Sequence, residues 1–180
     1  MENTVEATKE VLDYPLSDGD IQKALRTPTK ILTYPDLEFV NHIDDIFDKE
    51  GRSILLYPTT SETNGHWVCM IKKGNHIEFF DPYGNKPDSQ LKWISDKKRR
   101  GFGIHYPTLT RLFKESGYDV DYNHHKFQEN GNDINTCGRH CLARLHFKDL
   151  TLDQYKDFIK KSGLSPDEFV GGFTYLKLNK

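Results

Sequence analysis

His66-Trp67-Val68-Cys69-Met70-Ile71-Lys72-Lys73-Gly74-Asn75-His76-Ile77-Glu78-Phe79-Phe80-Asp81 holds two apolar, β-prone runs around a short polar segment. Lys72-Lys73-Gly74-Asn75 has the composition of a tight turn, so the stretch predicts a β-hairpin. Pairing 66–71 antiparallel to 76–81 would set His66 close to opposite Asp81. Before the hairpin, Ser53 to Tyr57 reads as a strand ending at Pro58; beyond it, Asp119 to Phe127 is a candidate strand.

Helical signals surround these strands. Ser17-Asp18-Gly19-Asp20 resembles a capping box before Ile21, Ala24 and Leu25. A second helix is predicted from near Pro35 to before Gly51, carrying Phe39, Val40, Ile43 and Phe47 at helical spacing. Leu91 to Ile94 reads as a short helix, and Pro107 to Ser116 as a helix stopped by Gly117. Thr136 to Phe147 follows, then a helix capped by Thr151 and ended by Gly163, then the cap Ser165-Pro166-Asp167-Glu168. Strands in the middle with helices at the ends and between predict an α+β fold, a small mostly antiparallel or mixed sheet flanked by helices.

At 180 residues, with no repeat and no Pro/Gly/Ser-rich linker, the chain reads as a single domain, 1–180. Eleven Phe, 9 Tyr and 2 Trp supply apolar area for a core, which excludes wholesale disorder. The 25 basic and 27 acidic side chains leave a formal charge of −2, unlike a dedicated nucleic-acid binder. Cys69, Cys137 and Cys141 are too few for a disulfide framework and suit a reducing compartment. Met1 to Leu12 is mostly polar, without a signal-peptide pattern, and no apolar run approaches the ~20 residues of a membrane span. An intracellular protein, or one packaged in a particle assembled there, is expected.

Three segments carry chemistry: Asn64-Gly65-His66-Trp67-Val68, Phe79-Phe80-Asp81-Pro82-Tyr83-Gly84, and Gln128 followed by Thr136-Cys137-Gly138-Arg139-His140-Cys141. In the hairpin, Asp81 would orient the His66 imidazole and stabilise its protonated form. Cys137 opens a predicted helix, where unpaired N–H groups and the helix dipole favour a thiolate. His66 within reach would complete an imidazolium–thiolate pair. The Cys137 N–H and a Gln128 amide would supply two oxyanion donors. Singly, each residue has an ordinary structural use; their order and local contexts together carry the inference.

In that order, Gly65-His66-Trp67, Phe80-Asp81-Pro82-Tyr83-Gly84, Gln128 and Cys137-Gly138 resemble the adenovirus-type cysteine proteases. The SUMO-deconjugating proteases share the same His–Asp–Gln–Cys order, but Asp-Pro-Tyr-Gly is closer to viral maturation proteases such as those of virophages and Polinton-type elements. The resemblance implies His66 as general base, Asp81 as its orienting acid, Cys137 as nucleophile, Gln128 as oxyanion donor and Trp67 as a wall of the substrate cleft. The interval from Gln128 to Cys137 is longer than usual in the family, which leaves Asn130, Asn132 and Asn135 as alternative amides. Cys141 and Cys69 read as buried packing residues. The implied activity is a thiol endopeptidase that cleaves after small residues, at Gly-Gly or Gly-X motifs, to process capsid precursors, in the virion or the host cytoplasm or viral factory. It implies a monomer with no required cofactor and with DNA or a peptide as an activator.

Alternatives are a deconjugase for ubiquitin or SUMO, an effector-type acetyltransferase with a similar triad, and a binding module with a dead cleft. A zinc site from Cys137, His140 and Cys141 does not match a common knuckle spacing, so no metal is expected. Lys97-Lys98-Arg99-Arg100 reads as a solvated loop or a weak polyanion contact. Gly171-Gly172 reads as a loop glycine pair, with an autoprocessing site as the alternative.

Overall fold

A computed structural model of the chain describes residues 9–131 and 134–179. The strands are β1 (Lys30–Thr33), β2 (Arg52–Ser61), β3 (Asn64–Lys73), β4 (His76–Phe80) and β5 (Asp119–Tyr122). They lie side by side in that same order. β2, β3 and β4 are antiparallel, while β1 and β5 run parallel to their neighbours at the two edges. The fold is α+β with a five-stranded mixed sheet. Its helices are α1 (Asp18–Leu25), α2 (Asp96–Phe102), α3 (Thr108–Ser116), α4 (Cys137–His146), α5 (Leu152–Lys161) and α6 (Pro166–Leu178).

The unbroken apolar runs of the hairpin have a physical cause: both sheet faces are covered. Ile54, Leu56, Trp67, Cys69, Ile71 and Phe80 pack with α1, α4, α5 and α6 on one face. Leu55, Tyr57, Val68, Met70, Ile77 and Phe79 pack on the other with α3 and the 34–47 segment. Lys73 pairs with His76 across a two-residue turn in which Gly74 has a φ of +56°.

Five expectations are corrected. The 34–51 segment is not one helix but two 3-10 helices, Tyr34–Phe39 and Ile43–Ile46. The Asp36 carboxylate accepts from the Thr33 N–H, and that of Asp45 from the His42 N–H, so each short turn is capped separately and no long helix propagates. Phe39 is consequently exposed. β2 runs through Pro58 to Ser61, because β1 pairs only as far as Leu56 and leaves Pro58 with one neighbouring strand. β5 stops at Tyr122, well short of Phe127, where Asn123 turns the chain. Lys97 to Arg100 lie on α2, not in a loop, with Arg99 paired to Asp96 and Lys98 Nζ donating to the Thr59 carbonyl. Gly171-Gly172 likewise lie inside α6 rather than in a loop.

α4 is central: Cys137 through Leu145 are all buried. Its Arg144 is 2% exposed and makes a two-pronged contact with Glu78 of β4, at 2.8 and 3.0 Å, while donating to the Phe147 and Leu150 carbonyls. Arg144→Ala would strand the Glu78 carboxylate against the helix. The expected loss is about 3 kcal/mol of stability, read from the urea midpoint of unfolding. An unchanged midpoint would show that this pair does not hold helix to sheet.

Candidate active site

β3 delivers His66, the end of β4 delivers Asp81, and the first residue of α4 is Cys137. Two glycines explain how the first two segments reach the site. A Cβ on Gly65 would collide with the Tyr57 carbonyl oxygen, at the irregularity where the β2–β3 register shifts. Gly84 has a φ of +77°, and a Cβ there would press on the His125 backbone at 3.0 Å. The Asp81–Gly84 turn therefore docks directly on the 123–128 segment. Asn123 completes the joint: its side-chain oxygen accepts from the Asp81 N–H at 2.8 Å, and its amide donates to the Asp81 carbonyl at 2.6 Å. Phe127 and Gln128 both donate their N–H to the Pro82 carbonyl, at 2.8 and 2.9 Å.

The strand register differs from direct opposition of His66 and Asp81. Phe80 pairs with Cys69, so Asp81 lies just beyond the paired strand and diagonal to His66. The side chains still meet, with His66 Nε2 2.8 Å from Asp81 Oδ1. That leaves Nδ1 as the ring nitrogen available to the Cys137 sulfur. Burial opposes charging His66, but the Asp81 carboxylate and then Cys137 outweigh it and push the imidazole up to about 10. The ring is therefore held protonated at neutral pH. Tyr83 stacks on it at 4.9 Å between centroids. Burial first, then the charges of Cys137, Asp81 and Asp167, raise the Tyr83 hydroxyl, which stays a neutral group.

Cys137 is 8% exposed and accepts a hydrogen bond from the Trp67 backbone N–H at 3.5 Å. An anionic sulfur accepts such a bond more strongly than a neutral thiol. Trp67 itself does not stand at an open rim. It is 5% exposed, its indole N–H donates to the Leu16 carbonyl, and its ring lies against Gly138, so it braces the start of α4. Gln128 is buried, and its amide donates to Tyr83 Oη and to the Ile134 carbonyl, both at 3.3 Å. Its Oε1 has no partner among the described residues. Of the other amides, Asn135 is committed to Asp13, Asn130 lines a surface cavity with Tyr83 and Trp93, and Asn132 lies outside the described residues.

Cys69 and Cys141 are fully buried, and the Cys69 thiol donates to the Cys141 carbonyl. His140 is not near a metal cluster among the described residues; its Nε2 lies 2.9 Å from Asp167 Oδ1. Asp167 escaped the sequence reading because Ser165-Pro166-Asp167-Glu168 accounts for itself as a helix cap. The one available signal was a carboxylate in a cap whose capping bonds are already made by Ser165 and Glu168.

No family model matches the chain. Over 160 residues it is 37% identical to the uncharacterized protein V9 of Sputnik virophage, covering 86% of this chain and 91% of that protein. Three solved structures are distantly similar. The ASFV pS273R protease is 15% identical, with a TM-score of 0.46 over 89% of this chain and 66% of that one. The protease domain of yeast Ulp1, in complex with the SUMO ortholog Smt3, is 18% identical, with a TM-score of 0.43 over 98% and 84% of the two chains. The central domain of the uncharacterized Lpg1148 protein from Legionella pneumophila is 16% identical, with a TM-score of 0.43 over 92% and 99%.

Proposed function

The chain belongs to the family of the Sputnik virophage protein V9, and we propose that it is a cysteine endopeptidase acting on viral precursor proteins. The observation that carries this reading is one imidazole held between a buried carboxylate and a buried thiol at a helix start. In this mechanism the Cys137 sulfur, paired with the His66 imidazolium, attacks the scissile carbonyl. The oxygen that becomes negative is held by the Cys137 N–H and by the Gln128 amide, which gives up its 3.3 Å contact with Tyr83 Oη to reach it. His66 gives its proton to the leaving amine, and a thioester to Cys137 remains. His66, now neutral, takes a proton from water as it attacks the thioester, and the acid product leaves. Asp81 keeps the ring oriented throughout, and Tyr83 keeps it flat against one wall.

Small residues before the cleaved bond fit a cysteine that is only 8% exposed, because a bulky side chain beside the carbonyl would be held away from the sulfur. The test is a panel of fluorogenic substrates: a Gly-Gly-X peptide, ubiquitin and SUMO, each with a reporter on its terminal carboxyl group. The expected result is hydrolysis of the peptide with a kcat/KM at least as high as for either modifier. Preference for ubiquitin or SUMO by ten-fold or more would turn the reading into a deconjugase. Acetyl transfer from acetyl-CoA without peptide hydrolysis would remove the endopeptidase altogether.

A further inference from the structure

We propose that Asp167 is a positioning residue that locks the segment carrying Gln128 to the N-terminus of α4 and so sets the spacing of the oxyanion hole. The proposal rests on the endopeptidase reading above. One carboxylate joins three separate pieces of chain. Asp167 Oδ2 accepts from the Glu129 N–H at 3.0 Å, one residue after Gln128. Oδ1 accepts from Thr136 Oγ1 at 2.5 Å, one residue before Cys137, and from His140 Nε2 at 2.9 Å, one helical turn into α4. Asp167 itself is 4% exposed in the first turn of α6, where the helix dipole favours a carboxylate.

The protonation states follow from the partners. Burial lowers His140 more than Asp167 raises it, so the imidazole is neutral. Its Nε2–H donates to Asp167, and its bare Nδ1 has no partner among the described residues. A second proton there would be a buried donor without an acceptor, which the neutral ring avoids. Burial also works against the Asp167 carboxylate, but its bonds from His140, Thr136 and the Glu129 N–H overcome this and keep it ionised. All three donors therefore converge on one negative charge.

The two proposed oxyanion donors, the Cys137 N–H and the Gln128 amide, sit on different segments separated along the chain by the 129–136 loop. Oxyanion stabilisation depends on donors held in place before the charge develops. Asp167 supplies that hold from outside both segments. It touches neither His66 nor the Cys137 sulfur, so the ionic partners of the nucleophile do not depend on it.

This predicts a split between two reactions of Cys137. Peptide hydrolysis passes through an oxyanion. Alkylation by iodoacetamide does not: sulfur displaces iodide from carbon directly, with the C–S bond forming as C–I breaks. Asp167→Asn keeps an oxygen for Thr136 and His140 but turns an NH₂ group towards the Glu129 N–H. Thr136→Val removes the bond next to Cys137 and leaves only that of His140 on the helix side. In both variants kcat for the Gly-Gly-X peptide is expected to fall at least ten-fold with KM within two-fold of wild type. The alkylation rate and its pH midpoint are expected to stay within two-fold. Should Asp167→Asn fail to fold, judged by thermal unfolding, Thr136→Val carries the test. Unchanged kcat in a folded variant overturns the clamp and leaves the endopeptidase standing. Hydrolysis and alkylation falling together also overturn it, because Asp167 would then act on the nucleophile or the fold at large. A wild type that hydrolyses no substrate removes the endopeptidase reading and the clamp with it.

Discussion

Cys137→Ala is expected to abolish peptide cleavage, while Cys141→Ala leaves most of it. The two thiols are one helical turn apart on α4, yet their surroundings differ in kind. Cys137 begins the helix beside the imidazolium of His66 and under the Trp67 N–H. Cys141 is wholly enclosed. Burial first, then the neighbouring Cys69, push its thiol well above its ordinary value, so it stays protonated and apolar in character. Removing the Cys141 sulfur leaves a void of about one heavy atom and a stability loss of about 1 kcal/mol. Removing the Cys137 sulfur leaves no atom to form the acyl-enzyme. Initial rates on the Gly-Gly-X peptide, with the folded fraction measured for each variant, decide the matter. Activity surviving in Cys137→Ala and lost in Cys141→Ala would reverse the assignment.

The second large effect is on His66. His66→Ala is expected to lower kcat about a thousand-fold or more, the scale for losing one member of such a triad. The pH profile gives the sharper measurement. In the proposed mechanism the acid form of His66 pairs with the sulfur and protonates the leaving amine. It is present below its folded value of about 10 and disappears as pH rises through it. Wild-type kcat/KM should therefore hold through neutral pH and fall on an alkaline limb near that value. Asp81→Asn removes the main influence that raises the ring and leaves burial, which lowers it. The alkaline limb should then move towards lower pH. A limb that stays in place in Asp81→Asn would mean that another group controls it. Stability follows the same sign. A folded value raised above the ordinary 6.5 stabilises the protein fully below 6.5, and that contribution is lost as pH climbs towards about 10.

Much of this arrangement was legible locally. The hairpin announces itself because two apolar runs meet at Gly74-Asn75, and the caps of α1, α5 and α6 are written in four-residue signatures. His66, Asp81 and Cys137 stand out because each lies near the end or start of an element, where separate segments of the chain can bring their side chains together. The 34–47 segment misled because its apolar spacing is helical while its Asp36 and Asp45 side chains bind backbone N–H groups and close each turn early. The burial of Trp67 was not readable, since it depends on the Leu16 carbonyl 51 residues away. Asp167 was hidden for the same reason: its partner Thr136 is 31 residues distant, and the spare carboxylate of the cap does not say which segment it will reach.

The framing of the sheet has a colloidal consequence. The two longest strands, β2 and β3 at 10 residues each, lie inside the sheet, while both edges are four-residue strands. At one rim Asp119 and Asp121 stand exposed, and at the other Lys30 does. An edge so short and charged offers a neighbouring molecule few unpaired backbone groups and an unfavourable place to add a strand. Crowded solutions of this protein should therefore resist strand-to-strand association, and light scattering that stays flat with rising concentration is the behaviour this rim was shaped to give.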